Sequence, residues 1–311
     1  MKSGFVTVIG KPNAGKSTLI NALVGEKVAI VSPKPQTTRN KILGILNIPD
    51  YQIVFVDTPG IHSSKNKLDE YMAKNISEAK KSVDLIIIVI DGSKRIRQED
   101  VDFVKKYDNY NTNAILVISK IDDSSFDKLY PQLVPFNDLQ FIKDIIPISA
   151  LKNKNLDILL DKIKNYIPEG EPFFDEDVYT DKSVKFLVSE LIREKMLWLL
   201  HDEIPHGVAI DIISFREKSN LVNISADIIC EKQSHKQIII GKNGSMIKNI
   251  GIKSREEIEK LLGKKVMLEL FVKVREDWRE DNGFVNSIMD WYHYAIFFVE
   301  ITLTLSICNS L

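Results

Sequence analysis

The octapeptide Gly10-Lys11-Pro12-Asn13-Ala14-Gly15-Lys16-Ser17 constrains this chain more than any other feature. It follows the apolar run Phe5 to Gly10 and precedes a stretch of helical spacing, so it reads as a turn from a buried strand into a helix. In that setting the glycines let successive backbone N–H groups point at phosphate oxygens, and the helix N-terminus adds partial positive charge. Lys16 is expected to reach the β and γ phosphates of a nucleoside triphosphate, and the Ser17 hydroxyl to ligate Mg²⁺.

The rest of residues 1–167 alternates apolar runs with amphipathic stretches, the pattern of a parallel sheet covered by helices. Strands are expected at Phe5 to Gly10, Lys41 to Ile48, Tyr51 to Asp57, Asp84 to Ile90, Ala114 to Ser119 and Ile145 to Ile148. Unbroken runs such as Leu85 to Ile90 suit strands buried on both faces. Asp57-Thr58-Pro59-Gly60 closes one of them, which puts a carboxylate beside the phosphate loop. Asp57 can hold Mg²⁺ through water, and the Gly60 N–H can meet the γ-phosphate.

Ser119-Lys120-Ile121-Asp122 ends another strand. A carboxylate at Asp122 can accept both the N1–H and the exocyclic amine of guanine, a pair that adenine lacks, and Lys120 can lay its stem along the base. Ile148-Ser149-Ala150 follows the last strand and can offer backbone N–H groups to the guanine O6. GTP is therefore expected over ATP.

With these residues assembled, the first domain resembles the translation-factor-related small GTPases, an α/β P-loop fold with a mostly parallel sheet. The resemblance extends GTP contact to Thr58, Pro59 and Ile61, and it makes Lys16, Thr38 and Gly60 the expected catalytic positions. Two residues depart from the common pattern. Ser119 stands where Asn or Thr is usual, a shorter group for guanine affinity, and Ile61 stands where Ras-like enzymes carry the Gln that orients water. Relatives with an apolar residue there imply that Asn13 helps to bind K⁺ in place of an arginine finger; a loop-capping side chain is the other reading. Gln36 to Asn40 occupies the position of a mobile switch, with Thr38 favoured over Thr37 as the Mg²⁺ ligand.

A second domain begins after Pro168-Glu169-Gly170-Glu171-Pro172 and Asp175-Glu176-Asp177, which read as a linker over 168–182. At 311 residues two domains are expected. Val184 to Ile192 has helical spacing, Val208 to Phe215 and Leu221 to Ile229 look like paired strands, and a helix near Ser245 to Leu262 and a strand near Val266 to Val274 follow. The loop Gly241-Lys242-Asn243-Gly244, flanked by Ile240 and Ile247, looks like that of the KH module, which clamps about four single-stranded nucleotides. Lys232 to Arg255 holds six basic residues, among them Lys232, Lys236, Lys242 and Lys248, and no acidic one, inside a chain of net charge -1. His235 is expected at the surface, and Trp198 and Trp278 in packing rather than base stacking.

The order of elements is that of the type II KH variant, a small α+β domain over 183–281. A GTPase followed by this module resembles the Era family, with Val272 to Arg279 as a further match. The resemblance implies a bacterial GTPase, a monomer using GTP/GDP and Mg²⁺, that binds the 3′ end of 16S rRNA during 30S subunit assembly. It also implies peripheral attachment to the inner membrane. Cys230 and Cys308 form no disulfide or zinc pattern, and the N-terminus lacks a signal-peptide pattern, so a cytoplasmic protein is expected.

Residues 282–311 depart from the family. The 15 residues Tyr294 to Cys308 carry one charge, Glu300, and fall short of the roughly 20 that span a bilayer. A helix packed on the second domain, a membrane-surface anchor and the product of a divergent reading frame all stay open. Two other functions stand beside the switch: an RNA-binding assembly factor with structural, unhydrolysed GTP, and a membrane-associated regulatory GTPase.

Overall fold

The computed structural model describes residues 1–34, 37–57, 83–108, 112–123, 129–201 and 204–289. They form two compact units, divided at Asp181/Lys182.

In the first unit, strands β1 (Lys2–Gly10), β2 (Ile42–Ile48), β3 (Tyr51–Asp57), β4 (Leu85–Asp91), β5 (Ala114–Ser119) and β6 (Ile142–Pro147) make one sheet in the order β2-β3-β1-β4-β5-β6. Every pairing is parallel except β2 with β3. Helices α1 (Lys16–Val24), α2 (Gln98–Lys105) and α3 (Leu156–Lys164) belong to this unit. Its central strands are mostly apolar because both faces are covered: Val6, Val8, Ile53, Val54, Leu85, Ile87, Ile115 and Val117 are fully buried. Register places Val8 opposite Asp57 and Gly10 opposite Val89, so the phosphate loop and Asp57 leave the sheet at the same carboxyl edge.

Strand β6 starts three residues before the expected Ile145. The charged pair Lys143 and Asp144 obscured it; at a sheet edge Lys143 faces out, and Asp144 is matched by Lys162 of α3 at 2.7 Å.

Residues 168–181, whose composition suggests a linker, are bound along the first unit. Fully buried Gln52 accepts from the N–H groups of Phe173 (2.6 Å) and Phe174 (3.0 Å) and donates to the Phe174 carbonyl (2.8 Å). Phe173 packs on Phe5 with ring centroids 4.7 Å apart. Farther along, Tyr179 O accepts the Ile45 N–H (2.9 Å), and Asp181 Oδ1 accepts the Leu43 N–H (2.9 Å) on the outer edge of β2.

The second unit runs α4 (Val184–Leu199), β7 (Val208–Glu217), β8 (Leu221–Cys230), α5 (Gln233–Ile240), α6 (Ser245–Leu262), β9 (Lys265–Val274) and α7 (Asn282–Met289). Its sheet order is β7-β8-β9, with β8 antiparallel to β7 and parallel to β9. This is the α+β arrangement of a type II KH domain. Ser183 caps α4 by accepting the Phe186 N–H at 3.2 Å. Val188, Ile192 and Met196 of α4 meet Ile210, Ile224 and Ile228 of the sheet and Ile239, Ile250 and Ile258 of α5 and α6.

Trp278 is wholly buried, and its indole N–H donates to Gly207 O at 3.1 Å, as a packing role requires. Trp198 differs from the expectation, being 56 % exposed. Helix α7 buries Val285 and Ile288, so the chain after Asp281 begins as packed structure. The apolar run Tyr294 to Cys308 lies outside the described residues, among which no helix is long and apolar enough to cross a membrane.

Candidate functional site

Gly10 ends β1 so close to β4 that a Cβ there would stand 2.6 Å from the Val89 carbonyl oxygen, which only glycine avoids. Gly15 opens α1, whose first turn has no acidic residue and no side-chain cap, so its N–H groups are available to an anion. Lys16 is 6 % exposed and donates to the carbonyls of Gly10 (3.2 Å) and Lys11 (3.5 Å). Burial pulls its ammonium below the ordinary lysine range, and the Asp57 charge opposes that shift. Lys11 pairs with Asp100 at 2.7 Å, while Pro12 and Ala14 border a cavity of about 400 Å³ beside the loop.

Ser17, Thr38 and Asp57 meet at one point. The Ser17 hydroxyl donates to Asp57 Oδ2 at 2.7 Å, and Thr38 Oγ1 lies 2.9 Å from Ser17 Oγ and 3.4 Å from Asp57 Oδ2. Three oxygens, one a buried carboxylate, are a donor set that fits Mg²⁺. Of the two switch threonines, Thr38 faces this cluster, whereas Thr37 donates to Lys34 O at 2.6 Å and lies 2.8 Å from Ser32 Oγ. Asn13 has a positive φ of 62° and its amide donates to Pro33 O at 2.6 Å, a capping contact onto the segment that leads to the switch. Gln36, Thr58, Pro59, Gly60 and Ile61 lie outside the described residues.

On the other side of the phosphate loop, the buried Ser119 hydroxyl is 2.6 Å from Ala14 O and 3.0 Å from Ile90 O. The shorter side chain thus still ties the base loop to the phosphate loop. Lys120 donates to Asn13 O (2.7 Å) and to Asp91 Oδ2 (2.8 Å). Ile121 and Asp122 form a single 3₁₀ turn, with the Asp122 side chain exposed. The Ser149 N–H is taken by Lys154 O at 3.2 Å, which removes it from the pair expected to meet the guanine O6. Asp91 is a residue that sequence reasoning missed; its signal is a lone carboxylate ending the apolar run Leu85 to Ile90.

In the second unit the apolar triplet before the G-x-x-G loop is the last turn of α5, with Ile239 buried, Ile240 half-buried and Ile238 exposed. Gly241 has φ 72°, and a Cβ there would come within 2.7 Å of the Met246 Cβ; Gly244 opens α6. Asn243 also takes a positive φ, 52°. Lys232, Lys242 and Lys248 stand exposed, and Lys236 is half-buried. His235 is half-buried, with its Nδ1 turned inward.

Two family models match the chain: "50S ribosome-binding GTPase" over residues 5–120 and "KH domain" over residues 203–279. The chain is 48% identical over 288 residues to the GTPase Era of Ruminiclostridium cellulolyticum, covering 92% of this chain and 97% of that one. The chain belongs to the Era family of GTPases. Era of Clostridioides difficile is 49% identical over 289 residues, again covering 92% of this chain and 97% of its own. The crystal structure of an Aquifex aeolicus Era variant bound to GDP·AlF4⁻ superposes with a TM-score of 0.86 at 40% identity, covering 93% of this chain and 99% of that one. An Era complex with MgGDPNP and nucleotides 1506–1542 of 16S ribosomal RNA matches with the same score and identity, covering 93% and 98%.

Proposed function

We propose that this Era family chain is a GTP-driven switch that binds the 3′ end of 16S rRNA during 30S subunit assembly. It hydrolyses GTP to GDP and phosphate. The observation that carries the reading is the convergence of Ser17, Thr38 and Asp57 beside the buried Lys16, because it joins the phosphate loop, the switch and the sheet edge at one point. These oxygens would hold Mg²⁺, which neutralises developing charge on the β- and γ-phosphate oxygens when bound.

Lys16 contributes charge to the same phosphates, Asp122 selects guanine, and Lys120 flanks the base. Water attacks the γ-phosphorus in line, aided by positioning and by the Gly60 N–H rather than by a protein base, and Ile61 cannot orient it. Turnover is therefore slow and gains from K⁺ near Asn13. The exposed lysines and the G-x-x-G loop hold the RNA backbone; the related Era complex with a 16S rRNA fragment supports that ligand. The protein acts in the cytoplasm as a monomer, with the inner membrane as a peripheral address.

The test is phosphate release from GTP and from ATP in K⁺ or Na⁺ buffers. Slow release from GTP that rises with K⁺, with ATP nearly inert, is expected. Bound GTP that is never hydrolysed would make the protein an RNA-binding assembly factor with a structural nucleotide, and equal use of ATP would remove the role of Asp122.

A further inference from the structure

Asp91 ends β4 opposite Ser119 of β5, one residue before Lys120. The turn after it is fixed by the Gly92 N–H, which donates to Ser119 O at 2.8 Å. Each carboxylate oxygen has its own partner. Oδ1 accepts from the Ser93 N–H (3.1 Å) and hydroxyl (2.5 Å), and Oδ2 accepts from the Lys120 ammonium (2.8 Å). Lys94 also approaches Oδ2, but at 3.8 Å and with a side chain 77% exposed.

Lys120 has a positive φ of 59°, which aims its stem back over the loop, and the same ammonium donates to Asn13 O at 2.7 Å. The ammonium is therefore held at two points, one on β4 and one on the phosphate loop. Burial pushes the Asp91 carboxyl upward, but the hydrogen bonds from Lys120 and Ser93 and the Lys120 charge outweigh it and keep the group below its ordinary range, hence ionised.

We propose that Asp91 is a positioning residue for the guanine nucleotide, fixing Lys120 so that its stem stays against the base while its head pins the phosphate loop. This rests on reading Lys120 and Asp122 as the base-binding pair. The stem contacts the purine ring system, which guanine and hypoxanthine share, so the loss of Asp91 lowers affinity for GDP and IDP alike. Loss of the Asp122 carboxylate, which also receives the exocyclic amine, falls harder on GDP.

The experiment titrates a fluorescent GDP analogue, with IDP as competitor, into the full chain and its Asp91→Asn, Lys120→Ala and doubly substituted forms. Asp91→Asn is expected to weaken both nucleotides by the same factor, about fivefold to tenfold, as for a hydrogen bond that keeps its acceptor oxygen but loses its charge assistance. In the Lys120→Ala background it is expected to add less than about twofold. A loss of full size in that background would show that Asp91 acts on the fold and not through Lys120, and overturn the proposal. Unchanged affinity in Asp91→Asn, with Lys120→Ala weakened, would overturn it too. Unchanged affinity in Lys120→Ala would remove the base-site reading itself.

Discussion

Lys16 carries its ammonium into a site where, among the described residues, it donates to the carbonyls of Gly10 and Lys11, and burial lowers its pKa against the pull of Asp57. Nucleotide phosphates favour the charged form. As pH rises through the lowered pKa, binding must take up a proton, so GDP affinity falls with rising alkaline pH by at most about tenfold per unit for one proton. Calorimetric titration in buffers of different ionisation enthalpy measures that uptake. Lys16→Ala is expected to cost nucleotide binding and abolish its proton uptake while the second unit keeps its fold; nanomolar GTP affinity in that variant would contradict the assignment. Most of this site was legible because the phosphate motif, Asp57 and Asp122 sit at strand ends, where side-chain type and spacing fix the chemistry. Asp91 was not, since an acid after an apolar run has no signature until Lys120 folds beside it.

Among the elements, the unbroken apolar strands were readable and the segment 168–181 was not. Its glycine, two prolines and acids read as a linker, yet its backbone is held by Gln52, far away in sequence. Gln52→Ala removes its hydrogen bonds to those part-buried amide and carbonyl groups, with an expected loss of about 1 to 2 kcal/mol, measured by thermal or urea unfolding. A change below about 0.5 kcal/mol would mean that this contact is dispensable. Helix α5 escaped sequence reading for another reason: three successive isoleucines give no period that separates a strand from a helical turn. The loop after it was readable through its glycines. Changing Gly241 and Gly244 together to Asp adds a side chain into Met246 and two negative charges facing the RNA backbone, so single-stranded RNA binding is expected to vanish while GDP binding is unchanged. Unaltered RNA affinity would retire the KH loop as the contact.

At the scale of the molecule, chain connectivity suggests how a nucleotide could be sensed by an RNA reader. Thr38 lies a few residues before β2; the outer edge of β2 holds Asp181, and two residues later Ser183 caps the first helix of the KH unit. Length pointed to two units, the run of helix breakers and acids to their boundary and the two motifs to their expected ligands, but no local pattern reports an edge pairing made between residues 43 and 181. We propose that the switch holds RNA in one nucleotide state and releases it in the other. Its most direct test is the affinity of the full chain for short RNAs ending in the 16S 3′ sequence, with GDP or with a non-hydrolysable GTP analogue bound. Tight binding only with the GTP analogue is predicted; equal affinity in both states would leave two working sites and contradict the coupling between them.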